Sequence, residues 1–237
     1  MRKQEARQQR EQHIIQTVLD RLEISSVLDL TMSDIAKASE CSMGAIYSHF
    51  PSKEDLLIAV SNETIKQDLA ILEKVTEKAK DDFDKLLSTV FAIAALFVER
   101  PQYYALNQLA MNPNIWANAS ASRVEEGNKM AEQILENILE LVDSVNKEKG
   151  LTLDDRSAEL FVTSLYGMVV GVMEIKMSGY GMILDKHSDR TKGPVYNLIP
   201  AVCRLLSAWS IKDTNLAEHV EIICQTVTKD VIEILPE

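Results

Sequence analysis

Residues 31–50, TMSDIAKASECSMGAIYSHF, decide the reading of this chain. They spell two short helices with a tight turn between them. Thr31 opens the first, and Asp34 three positions on makes a capping-box spacing that satisfies N–H groups orphaned at a helix start. Ile35, Ala36 and Ala38 give this helix an apolar side small enough for a close crossing. Ser39-Glu40-Cys41 forms the turn, and Ser42 is a natural N-cap for the second helix. There Ile46 and Phe50 stand i, i+4 on one inward face, which leaves Met43, Gly44, Tyr47 and His49 pointing elsewhere. A helix with so short an inward face is built to present its N-terminal side to something. In a helix-turn-helix that something is the major groove of DNA.

The stretch runs on into Pro51-Ser52-Lys53-Glu54 and Leu56-Leu57. With Asp34-Ile35-Ala36, Ser42-x-Gly44, Ala45-Ile46-Tyr47 and His49-Phe50, it closely resembles the TetR family of bacterial transcriptional regulators, over roughly residues 10 to 60. The run from Gly44 to Lys53 is its most specific part, because it fixes the recognition helix, its stop and the next helix start together. The chain departs from the family pattern at Cys41, where Val is common, at Met43, where a basic residue often sits, and in the loop before Thr31, which lacks its usual Gly. Glu40 stands where the turn usually carries Gly, and a non-glycine residue held left-handed costs about 1 kcal/mol.

The resemblance implies an all-α fold. A three-helix DNA-binding domain over residues 1–55 would be continuous with a larger helical effector-binding and dimerisation domain over residues 56–237. It implies a DNA-binding set of Thr31, Ser33, Ser42, Met43, Gly44, Ala45, Tyr47, His49 and Lys53. Tyr47 can reach a phosphate while its ring packs on the scaffold, and Lys53 meets a phosphate beside the N–H groups of its helix.

Composition agrees with a helical protein. Only 5% of the 237 residues are aromatic, and 8 Gly and 6 Pro leave few helix breakers. The net charge of −11 is an awkward balance for a DNA-binding protein, so its distribution matters: residues 1–60 carry −2 and residues 61–237 carry −9. The first ten residues reverse the sign, with Arg2, Lys3, Arg7 and Arg10 against Glu5 alone. Local positive charge is enough to seek phosphates, and overall acidity limits non-specific binding. Cys41, Cys203 and Cys224 are odd in number and fall on apolar positions, so they read as small core residues rather than a disulfide framework. No signal peptide is visible, since the first dozen residues are charged and polar. The longest apolar run, Val90 to Val98, is nine residues, against the roughly 20 a membrane helix needs. A cytoplasmic protein without membrane association is expected.

Ahead of the motif, Ile14, Ile15, Val18, Leu19 and Leu22 recur at helical spacing. Behind it, Ser52 and Asp55 open a helix that Leu56, Leu57, Val60, Ile65, Leu69, Leu72 and Val75 continue without a linker. Such a rod can convert events in the C-terminal part into movement of the reading head. Further helices are predicted over residues 82–99, a short one holding Tyr103 to Leu109, 122–148, 154 to about 179, 195–211 and 215–234, with a turn or broken helix around 111–116 and a loop over 179–194. No strand alternation is visible.

Enzyme chemistry finds no footing. His13, His49, His187 and His219 stand apart from one another, so no metal site is expected, and Asp185-x-His187-x-Asp189 reads as a solvated turn. No phosphate-cradling loop or serine nucleophile setting is present, and no cofactor is expected. In the family the C-terminal part holds a variable effector pocket. Phe97, Tyr104, Met111, Trp116, Met130, Tyr166 and Met173 would supply soft lining for a small apolar or amphipathic ligand. The helix from about Ala158 to Met177 has no clear polar face, and Gly167 and Gly171 lie one turn apart on it. It is read as too poor in apolar residues to cross a membrane, so a partner surface is its expected cover. A homodimer interface is therefore expected at Leu165, Gly167, Met168, Gly171, Val172, Val202, Leu205, Leu206 and Trp209.

These readings combine into a homodimeric transcriptional regulator that binds a double-stranded, pseudo-palindromic operator and acts as a ligand-released repressor. Two alternatives stay open: a DNA binder that is constitutive or controlled by a protein partner, and a ligand-binding or interaction protein that no longer binds DNA.

Overall fold

Helix α1, Arg2–Leu22, opens a computed structural model that describes residues 2–178, 193–211 and 215–235. The basic arm is thus the first turns of this helix. After a 3₁₀ turn at Val27–Asp29 come α2 (Met32–Ala38), α3 (Met43–His49) and α4 (Lys53–Thr76). The chain continues through α5 (Asp82–Glu99), α6 (Pro101–Ala110), α7 (Pro113–Ala117), α8 (Ala121–Glu148) and α9 (Asp155–Met177). Beyond it lie α10 (Gly193–Tyr196), α11 (Ile199–Ala208) and α12 (Leu216–Ile234), and no strand occurs among the described residues. The fold is all-α.

The helices pack as two compact units. The first comprises residues through Gln67 together with Arg100–Glu132; the second comprises Asp68–Glu99 and Gln133 onward. This differs from a contiguous division near residue 55, because α6, α7 and the front of α8 pack with the N-terminal helices. Tyr103 and Leu106 of α6 join Ile14, Val18, Leu22, Val27, Ile46 and Phe50 in one apolar core. The second unit has its own core, in which Phe83, Phe91, Phe161, Val169, Val202, Leu206 and Val220 are buried. Cys224 is buried there, and burial pushes its thiol up to about 11, as expected of an inert core residue.

Several helix stops follow one recipe. At the end of α2, Cys41 N–H donates to Ala36 O at 2.9 Å and Glu40 N–H to Lys37 O at 3.3 Å, with Glu40 at φ +53°. This is a Schellman motif with its left-handed residue at the position where glycine is favoured. Gly150 at φ +64° ends α8 in the same way, with Leu151 N–H on Asn146 O at 2.8 Å. Ser210 at φ +65° does so for α11, with Ile211 N–H on Leu206 O at 3.0 Å.

Two expectations are corrected by this geometry. The helix expected over 195–211 is broken, with α10 ending at Tyr196 and α11 starting at Ile199. Pro200 in the first turn of α11 lacks an N–H to bond the carbonyl of Tyr196 four positions back, and its ring clashes there, so one continuous helix cannot run through this point. Helix α9 is long and apolar enough, by length and composition, to cross a membrane. It is thus not too poor in apolar residues to span, contrary to expectation, because its small and apolar positions together suffice over 23 residues. In the second unit Phe161, Val162, Leu165, Val169 and Met173 of α9 are buried, while Leu160, Tyr166, Ile175 and Met177 stand exposed. The loop expected over 179–194, with Asp185, His187 and Asp189, lies outside the described residues except Gly193 and Pro194, which begin α10.

Candidate nucleic-acid interface

Local hydrogen bonds set the two short helices. Thr31 Oγ1 accepts from Asp34 N–H at 3.1 Å and donates to the Asp34 carboxylate at 2.6 Å. Ser42 Oγ accepts from Ala45 N–H at 3.1 Å at the start of α3, and Ser52 Oγ accepts from Asp55 N–H at 3.0 Å before α4. Each cap fixes where its helix begins, and so which residues of the next turn face out. Ile46 and Phe50 are fully buried and hold α3 down by one face.

The opposite face of α3 is open. Met43 is 40% and Tyr47 48% exposed, large values for apolar and aromatic side chains that find nothing of their own unit to cover them. Gly44 lies between them, and a Cβ built there meets nothing within 4 Å. Nothing inside the protein therefore requires glycine at that position, and its small size leaves the N-terminal turn of α3 clear for a close outside approach. Thr31, Ser33 and Ser42 are exposed beside this face, and Ala45 and Lys53 are half-buried.

His49 departs from the expected set. It is buried, its Nδ1 lies 3.4 Å from Glu11 Oε2, and its ring leans on Phe50 at 6.3 Å between centroids. The imidazole is turned into the unit toward a carboxylate of α1, so it is not part of the outward face. Burial works to raise the Glu11 carboxyl, but the hydrogen bonds and charges of Arg123 and His49 outweigh it and hold Glu11 below the usual carboxylate range. Arg7 is named in the sequence only as one charge of the basic arm, and Arg123 is not singled out there. Arg7 donates to Ser48 O at 3.0 Å. The Arg123 guanidinium pairs with Glu11 and lies 3.9 Å from Asp55 and 3.6 Å from Glu126. The basic arm offered a signal for Arg7. Nothing near Arg123 in sequence pointed to α1.

The other expected sites are placed as follows. Of the effector set, Tyr104 is buried, Met130 half-buried, and Met111 and Trp116 exposed in the first unit; Phe97 is half-buried, Tyr166 exposed and Met173 buried in the second. Of the interface set, Leu165, Val202 and Leu206 are buried inside the second unit and cannot face a partner as it stands. Trp209 packs edge-on against Phe161 at 5.5 Å. Gly167, Met168, Gly171, Val172 and Leu205 keep exposure, and a Cβ at either glycine would meet nothing within 4 Å.

Comparison with known proteins agrees with this geometry. Residues 28–60, from the 3₁₀ turn through the first turns of α4, match the family of bacterial regulatory proteins, tetR family. The fold is similar to that of RolR, solved in complex with resorcinol, at a TM-score of 0.62 and 13% identity over 91% of this chain and 95% of that one. A TetR family transcription regulator from Marinobacter aquaeolei VT8 aligns at a TM-score of 0.48 and 15% identity, over 97% of this chain and 98% of that one. A gamma-butyrolactone receptor (ArpA like protein) aligns at 0.49 and 16%, over 95% of this chain and 99% of that one. No curated protein matches the chain in sequence. The matched segment coincides with two capped helices and an open recognition face, so residues 28–60 carry a helix-turn-helix of the type found in the tetR family of bacterial regulatory proteins.

Proposed function

We propose that the chain acts as a homodimeric, cytoplasmic repressor that binds a pseudo-palindromic operator and is released by a small apolar or amphipathic ligand. The observation that carries the reading is the open face of α3, where Met43, Gly44 and Tyr47 are presented by an anchored helix with a defined start. Met43, Gly44 and Ala45 approach base edges, Tyr47 and Lys53 hold phosphates, and Thr31, Ser33 and Ser42 flank them. Reading is assigned to residues 1–55, effector binding and dimerisation to residues 56–237. The exposed side of α9 supports a second copy as partner: Gly167 and Gly171 leave room for another helix, and Leu160, Tyr166 and Ile175 supply apolar area beside them. A two-fold dimer places two recognition helices on half-sites about one DNA turn, roughly 34 Å, apart. The phenol held by RolR, whose fold this chain shares, supports a ligand of that size class.

The test is selection of bound fragments from genomic DNA by the purified protein. An enriched inverted repeat is the expected result; no enrichment over input sinks the reading. A thermal-shift screen of small phenols and related amphiphiles then tests release, since a ligand raises the melting temperature and must lower operator affinity by the factor that DNA lowers its own.

A further inference from the structure

The start of α8 is bolted onto the helix-turn-helix by groups far from it in sequence. Ser52 Oγ donates to Asn118 O at 2.8 Å, and Asp55 Oδ1 accepts from Ser120 N–H at 2.8 Å. One turn on, Arg123 turns a guanidinium only 20% exposed among three carboxylates, Glu11 of α1, Asp55 of α4 and Glu126 of its own helix. Its Cζ also lies 5.6 Å from the Phe50 ring centroid. Glu11 carries the contact onward, because its second oxygen faces His49 Nδ1 in the last turn of α3. With Asp55 2% and His49 5% exposed at their side chains, water cannot substitute for these partners at low cost.

We propose that Arg123 is a positioning residue of the reading head: by holding Glu11 it fixes His49, and with it the last turn of the recognition helix, without touching DNA. The guanidinium suits this task because its planar fork can serve several carboxylates at once, whereas a lysine ammonium is a point charge. Glu11 is the hinge of the arrangement, with one oxygen on α8 and the other on α3. The first turn of α8 thereby becomes a place from which DNA affinity is set. The DNA arm of the test rests on the operator reading above; the exchange arm does not.

The experiment uses the full-length protein with Arg123→Gln, Arg123→Lys, Glu11→Gln and the Glu11→Gln/Arg123→Gln double substitution. Amide hydrogen exchange without DNA is read at residues 46–50, with residues 83–96 of the second unit as internal control. Faster exchange at 46–50 by about tenfold in Arg123→Gln and Glu11→Gln, no further increase in the double variant, and an unchanged control are expected. Affinity for a duplex oligonucleotide selected on the wild-type protein, compared among variants shown to be folded, should fall by about tenfold in either single variant and by no more than that in the double. Arg123→Lys should lie between wild type and Arg123→Gln. Unchanged exchange at 46–50, or additive losses in the double variant, overturn the proposal. If Arg123→Gln does not fold, Glu11→Gln, which keeps the carboxylate's shape, decides it by the same two readouts. Failure to select any duplex strikes the operator reading alone, since the exchange comparison still decides the role of Arg123.

Discussion

Glu40 offers the most direct test of how this helix-turn-helix is built. Its φ of +53° places an L side chain in the left-handed region, held there by the paired N–H bonds of Glu40 and Cys41 that close α2. Left-handed backbone costs a residue with a Cβ about 1–2 kcal/mol. Glycine removes that strain but brings about 0.5–1 kcal/mol of extra unfolded-state entropy. Glu40→Gly should therefore stabilise the first unit by about 0.5–1 kcal/mol, the difference of the two terms. The chain's two tryptophans make the measurement selective: Trp116 lies in the first unit and Trp209 in the second. In a Trp209→Phe background, urea unfolding followed by fluorescence reports Trp116 alone. With a slope of about 2 kcal/mol per molar urea, the midpoint should rise by about 0.25–0.5 M. Glu40→Ala keeps the Cβ and the strain, and Glu40→Gln removes only the charge, so neither should reproduce the gain. A Glu40→Gly midpoint at or below wild type, or an equal rise in Glu40→Ala, refutes the backbone account.

Lys53→Ala should lower operator affinity evenly across sequences and reduce the salt slope of log K by about 1; an unchanged slope in a folded dimer removes Lys53 from the phosphate contacts. Gly171→Leu has open space within the monomer, so it should stabilise the isolated chain by up to about 0.8 kcal/mol through helix propensity while shifting sedimentation toward monomer. Unchanged self-association would exclude that face of α9 as the dimer contact. The Glu11 carboxyl is held below its ordinary 4.5 in the folded chain, despite burial that opposes this. Its contribution is therefore fully present above the unfolded value and lost as pH falls through the lower folded one. Acid titration should loosen the α1–α3 contact below about pH 4.5; Glu11→Gln should flatten that part of the stability profile, and an unaltered profile would rule it out.

The caps at Thr31, Ser42 and Ser52, the strained turn at Glu40, and the inward pair Ile46 and Phe50 were all legible in the sequence. So were most of the helices as elements, apart from the short α7, left open between a turn and a broken helix, the start of α10 at Gly193, and the break before Ile199. Each rests on groups three or four positions apart, and a helix brings such groups together whatever the rest of the chain does. Which side of a helix turns inward at a given residue is another matter. His49 sits one turn past Ala45 on a helix with an open face, and only Glu11, 38 positions earlier, draws it inside. Arg123 finds the same carboxylate across 112 positions. Along α9, periodicity could not tell Leu165, which is buried, from Gly167 and Gly171, which stay open, because nearly every position is apolar or small. Grouping α6 and the start of α8 with the N-terminal helices likewise depends on side chains such as Tyr103, Leu106 and Arg123 meeting partners remote in sequence. Local bonding determined where the helices begin and end. Burial competition among distant side chains, which only the folded chain resolves, decided which residues those helices show.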